Sequence, residues 1–286
     1  MEKPKKKQSQ LREVWRRLKK NKVAVVSLVV ILLLILMAIL APVLAPYSYE
    51  TQNTSRALEG SSKDYLLGTD RLGRDVLSRL IYGSRQSLQM GFTAILLSAA
   101  IGIIFGAISG YYGGWIDNLF MRFLDIYQGI PMFLLTVTLA AVLGPSLRNA
   151  IIAIGISMIP GNARFMRACI LSVRDMEYIE AAQSINASAP RIIIGHLIPN
   201  AIAPMIVSIT MGLGSAVLAG AGLSFIGLGA QAPVAEWGAM ISDARNYLRA
   251  HPQLSLYPGI CIMITVLAFN LLGDGLRDAL DPRLKT

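Results

Sequence analysis

Hydrophobic and polar positions follow one another along this chain in long blocks, not in short periods. Six apolar stretches, near residues 23–45, 88–110, 119–143, 149–170, 201–226 and 255–275, are separated by polar segments. A hydrocarbon core of roughly 30 Å takes about 20 helical residues to cross. The pattern therefore predicts an all-α membrane protein with six transmembrane helices. The first stretch carries no charge from Val23 to Ser48. It is longer than the roughly 7–15 apolar residues of a secretory signal and reads as a retained span, although APVLAP at 41–46 faintly mimics a cleavage site.

The polar segments divide the chain into a basic N-tail (1–22), a first span (23–45), an outer loop (46–87), a five-helix core (88–276) that includes the 171–200 loop, and a C-tail (277–286). In the N-tail Leu11, Val14, Trp15 and Leu18 fall at i, i+3, i+4 and i+7, with Arg12, Arg16, Arg17, Lys19 and Lys20 around them. That is an amphipathic helix suited to an anionic membrane surface. Nucleic-acid binding is the competing reading of such a charge run; the span that begins at Val23 favours lipid. Residues 1–10 have the composition of a disordered tail. In the outer loop Val76, Leu77, Leu80 and Ile81 outline an apolar face for a helix lying on the surface.

Composition agrees with the pattern. Of 286 residues 54% are hydrophobic and 15% charged, against about 25% charged in soluble domains, and mean hydropathy is +0.53. Net charge is +10, and residues 1–22 alone hold ten Lys and Arg against two Glu, a net of +8. Positive charge stays cytoplasmic, so the N-terminus is expected inside. Six spans bring the C-terminus to the same side, and the 171–200 loop with it. The outer loop carries Arg56, Lys63, Arg71, Arg74, Arg79 and Arg85, but these lie mostly far from a span and are outweighed by the denser N-terminal cluster.

The 171–200 loop is unusual for a membrane protein because it encodes folded structure. Asp175 is placed to N-cap a helix over 176–185. Asn186 follows where a left-handed residue ends a helix. Ser188 can cap a second helix with Pro190 in its first turn, and Pro199 is expected to end it. The result is a helix–turn–helix knob on the cytoplasmic face, with Glu180 offering a fixed charge and Ala181 and Ala182 allowing a partner close approach. His196 and Pro199 shape the second helix.

Within the spans, Gly102, Gly106 and Gly110, and Gly212, Ala216 and Gly220, form small-residue strips for close helix packing. Gln128, Thr136, Thr138, Ser157, Asn162, Ser208, Thr210, Ser215, Ser224, Thr265 and Asn270 are polar at membrane depth. Most are hydroxyls that can bond their own helix. Gln128, Asn270, Ser208 and Thr265 are taken as candidate pathway residues. Arg122 with Asp125, and Asp274 with Arg277, are spaced to pair. Trp237 and Tyr247 are expected at the outer interface or against an external partner.

Catalysis finds no support. A P-loop needs a Lys after a Gly-rich turn, and no Lys lies between 64 and 284. There is no HExxH or GxSxG motif. His196 and His251 are expected on opposite faces, and Cys169 and Cys261 have no metal or disulfide spacing. An intramembrane enzyme would need paired polar catalytic groups, which the spans lack. An ATP-independent channel or carrier remains as an alternative.

Residues 180–200, EAAQSINASAPRIIIGHLIPN, resemble the EAA coupling loop of ABC importer permeases: Glu180, Ala181, Ala182 and Pro199 match, and Asn186 stands where the family has Gly. GTDRLGRDVLSR (68–79), GYYGGWIDNLFMR (110–122), LSFIGLGAQAP (223–233), EWGAMI (236–241) and AFNLLGDGLRDALDPR (268–283) look like the dipeptide, oligopeptide and nickel branch, in particular its second, or C, permease subunit. The resemblance implies a non-catalytic subunit in the cytoplasmic membrane of a prokaryote. It further implies a homologous permease, two cytoplasmic ATPases that bind ATP and Mg, and an extracytoplasmic solute-binding protein as partners. Glu180, Ala181, Ala182, Asn186 and Pro199 become the ATPase-coupling residues. The implied solute is a di- or oligopeptide, with nickel or a nickel chelate as the alternative.

Overall fold

The computed structural model describes residues 10–280; parts of the basic N-tail and of the C-tail lie outside them. The N-tail's pattern gives helix α1 (Gln10–Leu18), followed after Asn21 by α2 (Lys22–Ile39). The Asn21 side chain accepts from Ala24 N at 3.1 Å and so caps α2. The short α3 (Ala41–Leu44) then leads into the outer loop. Helix α1 is tied to the bundle, not only laid on lipid. Leu18 is buried, and a Cβ on Gly275 of the last helix would meet Ala24 Cβ at 2.3 Å and Leu18 Cδ1 at 3.5 Å. Trp15 remains half exposed beneath Lys19, whose Nζ is 5.0 Å from the ring centre.

The expected second span is longer than its apolar run. Helix α4 (Val76–Tyr112) has 37 residues and begins where Asp75 accepts from Ser78 N at 2.8 Å. It absorbs the separate surface helix expected around 76–81. The expected third span is broken into α5 (Gly114–Gln128) and α6 (Met132–Leu143), bent by 83°. Pro131 has no N–H to continue α5 and biases Ile130 away from helical backbone. Helix α7 (Leu147–Leu171) follows, capped by the Ser146 side chain, which accepts from Asn149 N at 3.1 Å.

After α7 come α8 (Glu177–Ser184), α9 (Ala189–Ile192), one π turn (Ile193–Leu197), α10 (Ile198–Phe225), α11 (Trp237–Ala244) and α12 (Gln253–Leu280). Among the described residues four helical stretches are long and apolar enough to cross a membrane, and the bent α5–α6 pair makes five. The expected fourth span is present as α7, but Arg148, Arg164 and Arg167 leave it less apolar than the others. The architecture of the described residues is all-α; four or five stretches pass on length and composition alone, and α7 stands where the remaining expected span falls.

Close packing of α4 on α7 organises the core. Gly102, Gly106 and Gly110 lie against Asn162, Ala163, Met166, Arg167 and Ile170 of α7. Helix α10 meets α4 through a second small strip, where Gly212 faces Ile95 and Gly220 faces Met90. The C-terminal end of α7 is pinned by charged side chains. Arg167 forms a bidentate pair with Asp117 of α5, and Arg174 donates to Gly110 O at 3.1 Å. Asp125 pairs with Arg164 of α7 at 2.6 Å, and not with Arg122 one turn before it on its own helix.

The outer loop folds onto α11. Arg74, 2% exposed, reaches Asp70 at 2.6 Å and Asp243 at 3.1 Å. Trp237, expected at the interface, is instead fully buried and donates from Nε1 to Leu80 O at 3.0 Å. Beside it the buried Glu236 carboxylate caps α11, accepting from Gly238 N, Ala239 N and Ser87 Oγ at 2.9 Å each. At the rim the Arg56 hydrogen bond holds the Glu59 carboxyl below the usual carboxylate range.

Candidate functional site: coupling loop and cavity

The 171–200 loop builds a compact knob from its own sequence. Helix α8 starts at Glu177 with Met176 at the cap position. Asp175 is not the cap, as its carboxylate turns aside to Arg174 at 3.2 Å. At the other end Asn186 has φ 59°. Its N–H bonds Gln183 O at 2.9 Å, and the Ala187 N–H bonds Ala182 O at 3.1 Å, the paired bonds of a Schellman turn. Ser188 occupies the cap position of α9 with extended backbone but makes no side-chain cap bond, and Pro190 sits in the first turn. Pro199 does not end a helix. It lies just after the π turn, inside a helical stretch that runs on through α9, the π turn and α10 from Ala189 to Phe225; the irregular ladder of the π turn falls where Pro199 lacks an N–H.

The two alanines part company. Ile179 and Ala182 turn inward and join a buried cluster with Met166 and Ile170 of α7 and Ile192, Leu197 and Ala201 beyond the turn. Glu180 and Ala181 face outward. With them stand Met176, Tyr178 and Ile185, the last 80% exposed at the tip of the turn. Sequence reasoning passed over Ile185; the signal was a large apolar residue immediately before a left-handed turn, where a solvated loop would carry a polar one. The Glu180 carboxylate has no bonding partner among the described residues, so the knob presents an unpaired anion on the same short element as the exposed Met176, Tyr178 and Ile185.

A second feature lies within the bundle. The bend between α5 and α6 opens a cavity of about 480 Å³ against α4, α7 and α10, within the range of small-molecule sites. It is lined by Tyr127, Gln128, Ser157, Asn162 and Ser208 together with Ile130, Pro131, Met158, Phe165 and others. Asn162 also donates to Ser98 Oγ at 2.7 Å, which fixes α7 on α4. A neighbouring cavity of about 480 Å³ shares Phe165 and Ser208 and reaches Arg277 near the end of α12. Arg277 thus borders that space, and no ion pair joins it to Asp274.

Of the candidate pathway residues, Gln128 and Ser208 are brought together by this cavity. Thr265 is fully buried and spends its hydroxyl on Cys261 O at 2.7 Å. Asn270 borders neither cavity. Tyr127 was missed in the sequence because an aromatic residue beside an apolar block looks like core.

Comparison with known proteins places this all-α bundle in one class, the transmembrane components of solute importers. Residues 102–286 match the binding-protein-dependent transport system inner membrane component, and residues 9–60 match the N-terminal TM domain of oligopeptide transport permease C. The chain belongs to this permease family. It is 48% identical over 275 residues to the dipeptide transport system permease protein DppC of Alkalihalophilus pseudofirmus, covering 96% of this chain and 90% of that one. It is 44% identical to DppC of Haemophilus influenzae, covering 96% and 95%. It is 41% identical to the glutathione transport system permease protein GsiD of Pectobacterium atrosepticum, covering 96% and 92%. In fold it resembles a chain of the MetNI methionine ABC transporter solved in inward-facing conformations, with TM-score 0.58 and 20% identity, over 71% of this chain and 97% of that one.

Proposed function

We propose that this chain is one of two transmembrane subunits of an ATP-driven importer that carries di- or oligopeptides inward across the cytoplasmic membrane of a prokaryote by alternating access. The observation that carries it is the knob, a rigid turn that presents Glu180, Ala181 and Ile185 outward while Ile179 and Ala182 root it in the bundle. Rooted this way, a push on α8 passes into α7 and α10 as rigid-body motion. The partners are a homologous permease, two cytoplasmic ATPases that bind ATP and Mg, and an extracytoplasmic solute-binding protein. The basic α1 favours cytoplasmic N- and C-termini, which puts the knob on the side where the ATPases are. Peptide is favoured over nickel because the relatives at 41–48% identity are named for dipeptide and glutathione.

The deciding experiment is uptake into proteoliposomes holding this subunit with its partner subunits and binding protein. Labelled di- and oligopeptides compete there against labelled nickel. Peptide accumulation that needs both ATP and the binding protein is the expected result. Uptake of nickel alone would move the chain to the metal branch, and flux without ATP would overturn the importer reading.

A further inference from the structure

A third cavity, of about 350 Å³, lies in the cleft between α2 and α4. Its apolar walls are Ile35 and Ile39 of α2 and Leu88 and Phe92 of α4, and its polar groups are Arg85 and Gln89 of α4. The Tyr47 N–H donates to Ser78 Oγ at 3.0 Å, which ties the chain just beyond α2 and α3 to the first turn of α4. The two long helices therefore run antiparallel. Arg85 stands at the Ile39 end of the cleft, and Phe92 lies about 10 Å deeper along α4. The Phe92 ring meets Phe269 of α12 edge-on, with centroids 5.8 Å apart, so that wall is held from behind.

Both polar groups of the cleft lack a partner. The exposed Arg85 guanidinium forms no ion pair or hydrogen bond among the described residues, and neither α2 nor α4 contains an Asp or Glu to supply one. The Gln89 side-chain amide is also exposed and unbonded among them. The two stand at i and i+4, one above the other on a single face of α4. Ile39 belongs with Leu32 and Leu36 to the exposed apolar side of α2, a surface suited to lipid tails. An arginine near a helix end can snorkel to headgroup level without a ligand. Gln89 is a turn deeper, among apolar residues, where an unsatisfied polar group is costly. A ligand that satisfies both brings an anion at the level of Arg85, an acceptor one turn below it and an apolar tail beside Phe92. A phospholipid carries these parts in this order, as phosphate, glycerol ester carbonyl and acyl chain.

We propose that Arg85 and Gln89 form a binding site for an anionic phospholipid in the cleft between α2 and α4. Arg85 holds the headgroup phosphate, Gln89 donates to a glycerol ester carbonyl, and one acyl chain runs along Ile35, Leu88 and Phe92. The site depends on the spanning helices alone and not on which solute is carried. A headgroup without a cation of its own is preferred over choline, because its phosphate is left to Arg85. The bound lipid fills the seam between the first span and the rest of the bundle.

The test is photolabelling of the complete importer in phosphatidylcholine vesicles that carry a trace of phosphatidylglycerol with a diazirine in one acyl chain. Peptide mass spectrometry then maps the adducts. They are expected on the α2 and α4 residues that wall the cleft. Arg85→Gln should lower the yield there about fivefold, the worth of one cation near a membrane surface, and Arg85→Lys should keep most of it. Gln89→Leu keeps the bulk and removes the donor, and should lower the yield by about the same factor, the worth of one hydrogen bond. Phosphatidylcholine with the same diazirine should label the cleft about as weakly as phosphatidylglycerol labels Arg85→Gln. Adducts on other lipid-facing helices serve as the internal reference and should not change, and neither should the melting temperature. Equal yields in wild type and Arg85→Gln, or no adducts in the cleft, would overturn the site. Loss of the adducts on adding inorganic phosphate at matched ionic strength would give Arg85 to a free anion and overturn the lipid assignment.

Discussion

Gly106 of α4 passes the Ala163 carbonyl of α7 so closely that a Cβ on the glycine would stand 2.3 Å from that oxygen. The atom in the way is backbone and cannot rotate aside. Gly106→Ala should therefore separate α4 from α7 and cost about 2 kcal/mol, the usual penalty of overpacking. Gly259→Ala in α12, where nothing lies within 4 Å of the added methyl, should be neutral or mildly stabilising. Thermal melting of the detergent-solubilised protein compares the two directly, and equal melting temperatures would contradict the packing assigned here.

Glu180 is exposed and its carboxylate is unpaired, so reversing its charge should leave the fold alone. Glu180→Lys is expected to insert and melt normally while ATP-dependent uptake drops about tenfold, as loss of about 1.4 kcal/mol at a docking contact would give. Full uptake in this variant would remove the docking role of the knob. The two alanines sharpen the test. Ala181→Glu should act on uptake alone, whereas Ala182→Glu puts a charge into a site only 6% exposed and should lower stability as well.

Asn186 holds a left-handed backbone, with φ 59°. Asn186→Gly should change stability by less than about 0.5 kcal/mol, because Gly enters this region without steric cost. Asn186→Val should cost about 1–2 kcal/mol, since a Cβ there crowds the following carbonyl. Uptake and melting measured on both variants separate the backbone role of this residue from any contact its side chain makes with a partner; a large loss in Asn186→Gly would point to such a contact.

Asp70 holds two buried cations, Arg74 at 2.6 Å and Arg79 at 3.5 Å. Asp70→Asn keeps the shape and removes the charge, leaving both guanidiniums undercompensated. A cost of about 3 kcal/mol is expected, in the range for breaking a buried pair. Asp64 pairs with Arg56 at 2.8 Å in a solvated setting, with its side chain 62% exposed, and Asp64→Asn should shift the melting temperature imperceptibly.

The sequence by itself determined what depends on composition and on neighbours along the chain. Long apolar blocks demand helices because lipid offers backbone groups no other partner. The φ of Asn186, the small-residue strips and the basic amphipathic α1 follow from the steric and charge preferences of a few adjacent residues. Tertiary structure decided whatever depended on a distant group. Trp237 is buried because Leu80, far away in sequence, supplies both cover and a carbonyl. Asp125 chose Arg164 on α7 over Arg122 on its own helix. Ala182 became core and Ala181 surface because α7 and α10 cover only one side of α8. Pro199 lies within a continuous helical stretch where a local reading has it end a helix, because the π turn carries the chain straight from α9 into α10. The cavity was the least legible feature. It exists only where the bend at Pro131 turns Tyr127 and Gln128 toward Ser157 and Ser208, and hydropathy cannot show which polar residues of separate helices will meet.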